Sequence, residues 1–357
     1  MKILFFIPSL GSGGAERVIS NLSNEFVLRD HEVTVALTFR DRRIYPISDK
    51  IKVIPIQNYQ PGTKTMSEPL RILAIRRIIK ENKPDCVISF IVGTNIDVCI
   101  ASLGLKIPLI ISERNDPHNE LVGKKIKSLM RRLFYSRADA LVLLTEDMKD
   151  FYPKKQRERS LIILNPVTTD LPEKYEGERE KKIVSVGRLT KEKNHQMLID
   201  AFALAGLKER GYRLEIYGEG PYEAELKKKI EEKGLEDSVT LMGFSENVYE
   251  CIKNAAIFVL PSDYEGLPNA LLEAMCMGIP SVSTDSPIGG PKTLITNEEN
   301  GLLVPVGNTE KTAEALLAMV NSPEKAKQMG ENAYLLKEKF AVKNIATQWL
   351  ELIDKIK

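Results

Sequence analysis

The segment Pro261-Ser-Asp-Tyr-Glu265-Gly-Leu-Pro268-Asn269-Ala-Leu-Leu-Glu273 sets two carboxylates eight residues apart around a turn that opens a helix. Pro268 suits the first helical position, where its missing N–H costs nothing, so the helix is expected to start just after Glu265. Free backbone N–H groups at such a terminus, with the positive end of the helix dipole, favour a phosphate. Glu273 then falls in the second turn, roughly 7 Å further along. A carboxylate there can accept hydrogen bonds from both hydroxyls of a ribose, while Glu265 can meet a second sugar. That is a grip suited to a nucleotide sugar. The competing reading makes Glu265 a turn residue and Glu273 a solvated helix position.

Such a ligand needs counter-charge. The apolar run Ile183-Val-Ser-Val186 leads into Gly187-Arg188 and, five residues on, Lys193-Asn194. At the end of a parallel strand Arg188 can clamp a pyrophosphate with its fork and Lys193 as a point charge; two solvated loop charges are the alternative. Gly11-Ser12-Gly13-Gly14-Ala-Glu16-Arg17 is a strand-to-helix turn whose glycines let backbone N–H groups approach a phosphate or sugar, or simply form a tight turn. Glu16 stands where a dinucleotide fingerprint needs glycine, which counts against a nicotinamide enzyme. Pro287-Ile-Gly289-Gly290-Pro291 and Ile110-Ile-Ser112-Glu113-Arg114-Asn115-Asp116 are further strand-end segments, and the second could face the sugar. His31, His118 and His195 lie in no zinc spacing and read as surface or packing residues; His118 carries the most weight because it follows the 112–116 loop. No Asp-x-Asp pair offers a carboxylate site for a metal-bound diphosphate, so the cations must neutralise it.

An amphipathic helix is expected between Leu121 and Tyr135. On a helical wheel Ile126, Leu129, Met130, Leu133 and Phe134 share one face, explained by core packing, while Lys124, Lys125, Lys127, Arg131 and Arg132 crowd the other. Cations without an intervening acid point to an anionic partner, either phospholipid headgroups or a pyrophosphate-linked acceptor, against the alternative of a plain solvated face.

The elements that must position these groups alternate as strand and helix, the pattern of parallel sheets with helical crossovers. Strands are expected near 2–8, 32–38, 51–56, 86–91, 107–112 and 140–144, then near 182–186, 212–217, 238–242, 256–260, 279–283 and 302–304. Pro166 to Glu180, rich in Pro, Glu and Lys, reads as a linker between two α/β, doubly wound domains. Ile345, Trp349, Leu352, Ile353 and Ile356 fall at helical spacing and need a surface to cover. A chain of 357 residues exceeds a single core, which agrees with two domains. At 43% hydrophobic, 28% charged and a net charge of +2, it carries no global nucleic-acid or membrane signal. Cys86, Cys99, Cys251 and Cys276 are too widely spaced for a CxxC motif or a zinc set, so a reducing compartment is the simpler assumption. The run Ile3-Leu-Phe-Phe-Ile7 is too short to span a membrane and leads into a glycine loop instead of a cleavage site.

Together these residues resemble glycosyltransferase family 4, retaining enzymes of the GT-B fold. The likeness covers nearly the whole chain: Ser12-Gly-Gly-Ala-Glu-Arg17, Ile111-Ser-Glu-Arg114, Gly187-Arg-Leu with Lys193-Asn194, Glu265-Gly-Leu-Pro with Glu273, and Gly301-Leu-Leu-Val304. It is similar to bacterial enzymes of surface polysaccharide and lipid-linked N-glycan assembly. The resemblance implies two Rossmann-like domains facing a central cleft: 1–166 binding acceptor, 167–340 binding nucleotide sugar, and a helix at about 341–357 packing back on the first. It implies that Arg188 and Lys193 hold the diphosphate of a UDP-sugar, Glu273 the ribose and Glu265 the moving sugar, making Glu265, Arg188 and Lys193 the catalytic set. The backbone of Gly266, Leu267, Pro268 and Asn269 would assist, Gly13 and Gly14 would approach the diphosphate, and Met242 and Gly243 would hold the base. Many relatives carry a histidine beside the donor sugar where Arg114 stands here; arginine cannot act as a base but can bind a phosphate or sugar hydroxyl. Arg114, Asn115 and His118 are the expected sugar or acceptor contacts, and Lys124, Lys125, Arg131 and Arg132 the expected contacts to membrane or pyrophosphate-linked acceptor. The implied activity moves an N-acetylhexosamine or hexose, with no metal and no nucleic acid, onto a lipid-linked or polysaccharide glycan. Its expected place is the cytoplasm, or the inner face of the plasma membrane as a peripheral protein. A nucleotide-sugar epimerase of similar fold and a non-catalytic nucleotide-sugar-binding protein are the rival readings; intact Arg188, Lys193, Glu265 and Glu273 argue against the second.

Overall fold

The computed structural model describes residues 1–11, 13–39, 43–59 and 67–357, so Ser12 of the glycine turn lies outside the described residues. The chain forms two compact units, Met1–Pro166 with Ala341–Lys357, and Val167–Phe340.

In the first unit, strands β1 (Lys2–Ile7), β2 (Glu32–Leu37), β3 (Lys52–Pro55), β4 (Cys86–Phe90), β5 (Leu109–Ser112), β6 (Ala140–Leu143) and β7 (Ser160–Ile162) pair in parallel in the order β3-β2-β1-β4-β5-β6-β7. Helices α1 (Gly14–Leu28), α2 (Glu68–Asn82), α3 (Val92–Ala101), α4 (Lys125–Phe134) and α5 (Lys154–Arg157) lie between them. Ile3 to Ile7 is buried at every position, as a parallel strand covered on both faces must be. The seventh strand was not expected: its three residues are each half-buried, so no apolar run marks it. Strand β5 starts at Leu109 and not at 107, because Pro108 has no N–H to give; its carbonyl still accepts from Val87 N at 2.9 Å.

The second unit contains β8 (Glu180–Val186), β9 (Arg213–Tyr217), β10 (Val239–Gly243), β11 (Ala255–Leu260), β12 (Ser281–Thr284) and β13 (Leu302–Val304), parallel throughout in the order β10-β9-β8-β11-β12-β13. Its helices are α6 (His195–Leu204), α7 (Glu223–Glu232), α8 (Val248–Ile252), α9 (Asn269–Cys276), α10 (Gly290–Leu294), α11 (Thr309–Asn321), α12 (Pro323–Tyr334) and α13 (Leu336–Lys339). The stretch read as a linker packs on this unit. Leu171 is buried, Val167 N donates to the Phe340 carbonyl at 2.9 Å, and Glu173 accepts from Tyr334 Oη at 3.0 Å.

Helix α14 (Val342–Ile356) returns to the first unit, where Ile345, Trp349, Leu352 and Ile353 join the core of Phe5, Phe26 and Phe90. Trp349 stacks on Phe90 with ring centroids 5.7 Å apart. In both sheets the strand order reverses direction once, between β1 and β4 and between β8 and β11. Loops leaving the two strands at such a point diverge and open a crevice at their carboxyl ends.

Candidate active site

The second unit brings its predicted residues to that crevice. Arg188 and Lys193 follow β8, and Glu265 and Glu273 follow β11, the two strands on either side of the reversal. Lys193 Nζ donates to Glu265 Oε1 at 2.5 Å, and Ser262 Oγ donates to the same oxygen at 2.7 Å. Ser262 is itself fixed through its carbonyl, which accepts from Thr284 Oγ1 at 2.5 Å. Both charges of the Lys193–Glu265 pair are largely removed from solvent, whereas the Arg188 side chain is 76% exposed and lies 3.6 Å from Glu192. Of these two cations, Arg188 is the more exposed.

Glu273 is 6% exposed on α9, which rules out the solvated helix position. The helix starts at Asn269, with Pro268 one position earlier than expected, at the cap. Pro268 fixes the approach to the first turn, whose N–H groups are unused within the helix.

Two close backbone approaches hold these loops. A Cβ on Gly218, whose φ is +139°, would come within 1.9 Å of the Gly187 carbonyl, and one on Gly220 within 2.3 Å of the Leu189 carbonyl. Gly187 N donates to Tyr217 O and Leu189 N to Glu219 O, at 3.0 and 2.9 Å. The loop carrying Arg188 thus rests on Gly218-Glu-Gly220, a support that sequence reasoning missed although a Gly-x-Gly-Pro run directly after a strand is a readable signal. Likewise, a Cβ on Gly290 would stand 1.6 Å from the Gly266 carbonyl, so the predicted 287–291 segment backs the Glu265 turn. Met242 and Gly243 end β10, and Gly243 O accepts from Gly218 N at 2.8 Å, which joins the loop expected to hold a base to the same scaffold. His195 begins α6 beneath Lys193; burial, reinforced by Lys193, pushes its imidazole down to about 4, so it is neutral.

In the first unit Gly13 caps α1 and Gly14 is its exposed first residue. The Glu16 carboxylate folds back over Gly13, where a Cβ would lie 2.1 Å from it, and burial raises its carboxyl. Arg114 turns inward. Its guanidinium lies over Phe90 and Trp349, at 4.6 and 5.4 Å, and donates to Ile163 O and Asn165 Oδ1. Burial pushes it down to about 9. The outer edge of this segment is left to Asn115 and His118, both exposed. His118 Nδ1 lies 3.1 Å from the buried Asp116 carboxylate, which also accepts from Asn119 Nδ2 at 2.6 Å, so Nε2 is the ring nitrogen left for a partner.

Helix α4 corrects part of the expected assignment of its faces, with Met130 and Phe134 half-buried as an inner face requires. Ile126, Leu129 and Leu133 are 76%, 58% and 57% exposed, while Arg131, expected on the outer basic face, is buried. The physical reason is that a guanidinium can stack and hydrogen-bond at once: Arg131 lies over the Phe151 ring at 4.3 Å and donates to Pro117 O at 3.1 Å. Lys124, Lys125 and Arg132 remain exposed. Among the described residues no helix is long and apolar enough to cross a membrane, and no three His, Cys, Asp or Glu side chains gather as a metal site.

With this geometry in hand, residues 12–171 match the model of Glycosyltransferase Family 4 and residues 167–336 that of Glycosyl transferases group 1. The chain is 33% identical, over its whole length and 99% of the relative, to the GalNAc-alpha-(1->4)-GalNAc-alpha-(1->3)-diNAcBac-PP-undecaprenol alpha-1,4-N-acetyl-D-galactosaminyltransferase of Campylobacter jejuni. Sucrose-phosphate synthase from Thermosynechococcus elongatus superposes with a TM-score of 0.85 at 17% identity, covering 99% of this chain and 98% of that one. Anabaena HepE, solved in complex with UDP, gives 0.80 at 20% identity, covering 99% and 100%. Two parallel Rossmann-like units, each with one reversal of strand order, and full-length similarity to a sugar transferase place this chain among the GT-B glycosyltransferases, with a family 4 half followed by a group 1 half.

Proposed function

We propose that the chain is a retaining, metal-independent transferase that moves an N-acetylhexosamine or hexose from a UDP-sugar to a lipid-linked or polysaccharide glycan. The observation that carries this reading is the convergence of Arg188, Lys193, Glu265 and Glu273 at the β8/β11 reversal. The Campylobacter relative named for an undecaprenyl-diphosphate acceptor and the UDP-bound structural neighbour support the acceptor and donor classes.

In this scheme the α9 terminus and Arg188 receive the diphosphate, Glu273 the ribose, and Glu265 a hydroxyl of the sugar. Met242 and Gly243 hold the base. As the bond from the anomeric carbon to the diphosphate oxygen breaks, negative charge grows on the leaving group, and Lys193 shifts part of its interaction from Glu265 to that oxygen. The acceptor hydroxyl attacks on the same face, and its proton passes to the departing phosphate oxygen, so no side-chain base is required. Glu265 faces the positive sugar centre that develops between the two bonds. Asn115 and His118 orient the acceptor. Arg114, spent on packing, sets the geometry of their loop.

Helix α4 supports a membrane-facing role. Three exposed aliphatic side chains with Lys124, Lys125 and Arg132 beside them suit a shallow position in an anionic lipid surface. A peripheral protein of the inner membrane face could thereby meet a lipid-linked glycan without spanning the bilayer.

The test is incubation with UDP-, GDP- and ADP-sugars in EDTA, with and without a polyprenyl-diphosphate-linked GalNAc disaccharide, following nucleotide release and product anomer. Acceptor-dependent UDP release with a retained α-linkage is expected. Absence of release from every donor, or an absolute metal requirement, refutes the corresponding part of the reading.

A further inference from the structure

Helix α4 is tied to the segment 113–120 at two points. Arg131, on its inner face, donates from Nη2 to the Pro117 carbonyl at 3.1 Å and covers the Phe151 ring. That ring meets His118 edge-on, with centroids 4.9 Å apart. Just beyond the end of the helix, Tyr135 Oη donates to the buried Glu113 carboxylate, which also accepts from Asn95 Nδ2 at 3.2 Å. Glu120 borders the cluster: burial, and then the Glu113 charge, push its carboxyl up to about 10.

A buried cation is costly, and an aliphatic residue would fill the inner face of α4 without that penalty. Arginine at this place does what no apolar side chain can. Its plane stacks on Phe151 while its edge reaches a backbone carbonyl, which fixes both the ring and the turn. A lysine would keep the charge and lose the stacked fork.

We propose that Arg131 is a positioning residue for acceptor transfer, holding the segment that carries Asn115 and His118 in register with α4. The surface that meets lipid and the segment that meets the acceptor then move as one piece. The inference rests on the reading of the 113–120 segment as the acceptor side, and its test separates the two. In the full-length Arg131→Met variant, with no ligand added, backbone amides of 113–121 should exchange faster while those of the second unit are unchanged. With a farnesyl-diphosphate-linked GalNAc disaccharide, kcat/KM for acceptor should fall by about 10-fold or more, the loss expected for a charge-assisted hydrogen bond, while KM for donor stays within about twofold. Arg131→Lys should recover part of the loss. Unchanged exchange in 113–121, or equal losses on donor and acceptor, overturns the proposal. Where wild-type protein turns over no acceptor, the transferase reading fails and the exchange result still decides the coupling. Should Arg131→Met not fold, Phe151→Leu takes its place, with a loss of about 3-fold expected from removal of the stacked face and no change in either readout overturning the proposal.

Discussion

Replacing Lys193 by methionine separates two roles that a single variant would confuse. Glu265 is 9% exposed, and without Lys193 its Oε1 keeps only Ser262 Oγ as donor. A buried acceptor left short of a partner costs about 1–3 kcal/mol, and the retained hydrogen bond from Ser262 Oγ holds the loss here to about 1–2 kcal/mol. For a unit the size of Val167–Phe340 that lowers the thermal midpoint by about 2–8 °C. Glu265→Gln should cost less, because the lysine stem can lift its ammonium into solvent. The double variant Lys193→Met/Glu265→Gln leaves a neutral amide still bonded to Ser262 and should regain most of the loss, a coupling of about 1–2 kcal/mol. Activity should behave differently. Donor kcat/KM should fall about 10- to 100-fold in Lys193→Met and stay low in the double variant, because the charge proposed to meet the leaving diphosphate is still missing. Scanning calorimetry and nucleotide release on the same samples give both quantities. Recovery of rate together with stability would reduce the pair to a structural strut, and unchanged midpoints in both single variants would remove the energetic argument altogether.

Three further outcomes follow from other parts of the molecule. Arg188→Ala should lower donor kcat/KM by more than about 10-fold with no change in thermal midpoint, since this side chain is mostly in solvent and its contact with Glu192 spans 3.6 Å. His195 is held near 4 against an unfolded value near 6.5, so between those values the unfolded chain binds the extra proton; stability should drop as pH falls from about 6.5 to 4, and His195→Gln should flatten that limb in urea titrations. On phosphatidylglycerol vesicles, Ile126→Ser/Leu129→Ser/Leu133→Ser should weaken binding at all salt concentrations. Lys124→Ser/Lys125→Ser/Arg132→Ser should weaken it mainly at low salt, and persistence of wild-type binding in both sets would make α4 a solvated face.

The parts of the proposed site legible in the sequence are those set by chain-local chemistry. A strand end, a glycine and a cation at fixed spacing located Arg188 and Lys193. The carboxylate spacing located Glu265 and Glu273, because the helix between them fixes their separation. Periodicity failed where the outcome depends on which neighbour a face meets. The wheel of α4 places Lys124, Lys125 and Arg132 outside correctly but cannot know that Phe151 and the Pro117 carbonyl wait on the side of Arg131, so it turns Arg131 outward and Ile126, Leu129 and Leu133 inward. For the same reason Arg114 reads as a ligand contact, although Trp349, 235 positions away, covers it. Strand β7 escapes because three half-buried residues acquire their identity only by pairing with β6. The Lys193–Glu265 pair was equally invisible, since each residue alone looks like a free ligand group.

Helix α14 has a consequence for synthesis. The core of the first unit is completed by Ile345, Trp349, Leu352 and Ile353, which leave the ribosome only after the whole of Val167–Phe340 has emerged. The usual order, in which the amino-terminal domain folds first, is therefore reversed at the last step: the second unit is continuous in the chain and can finish while the first still exposes the groove around Phe5, Phe26 and Phe90. Until Trp349 arrives to stack on Phe90 and cover the Arg114 guanidinium, the nascent first unit presents an apolar surface beside a buried-to-be cation, the stage at which a chaperone has most to hold.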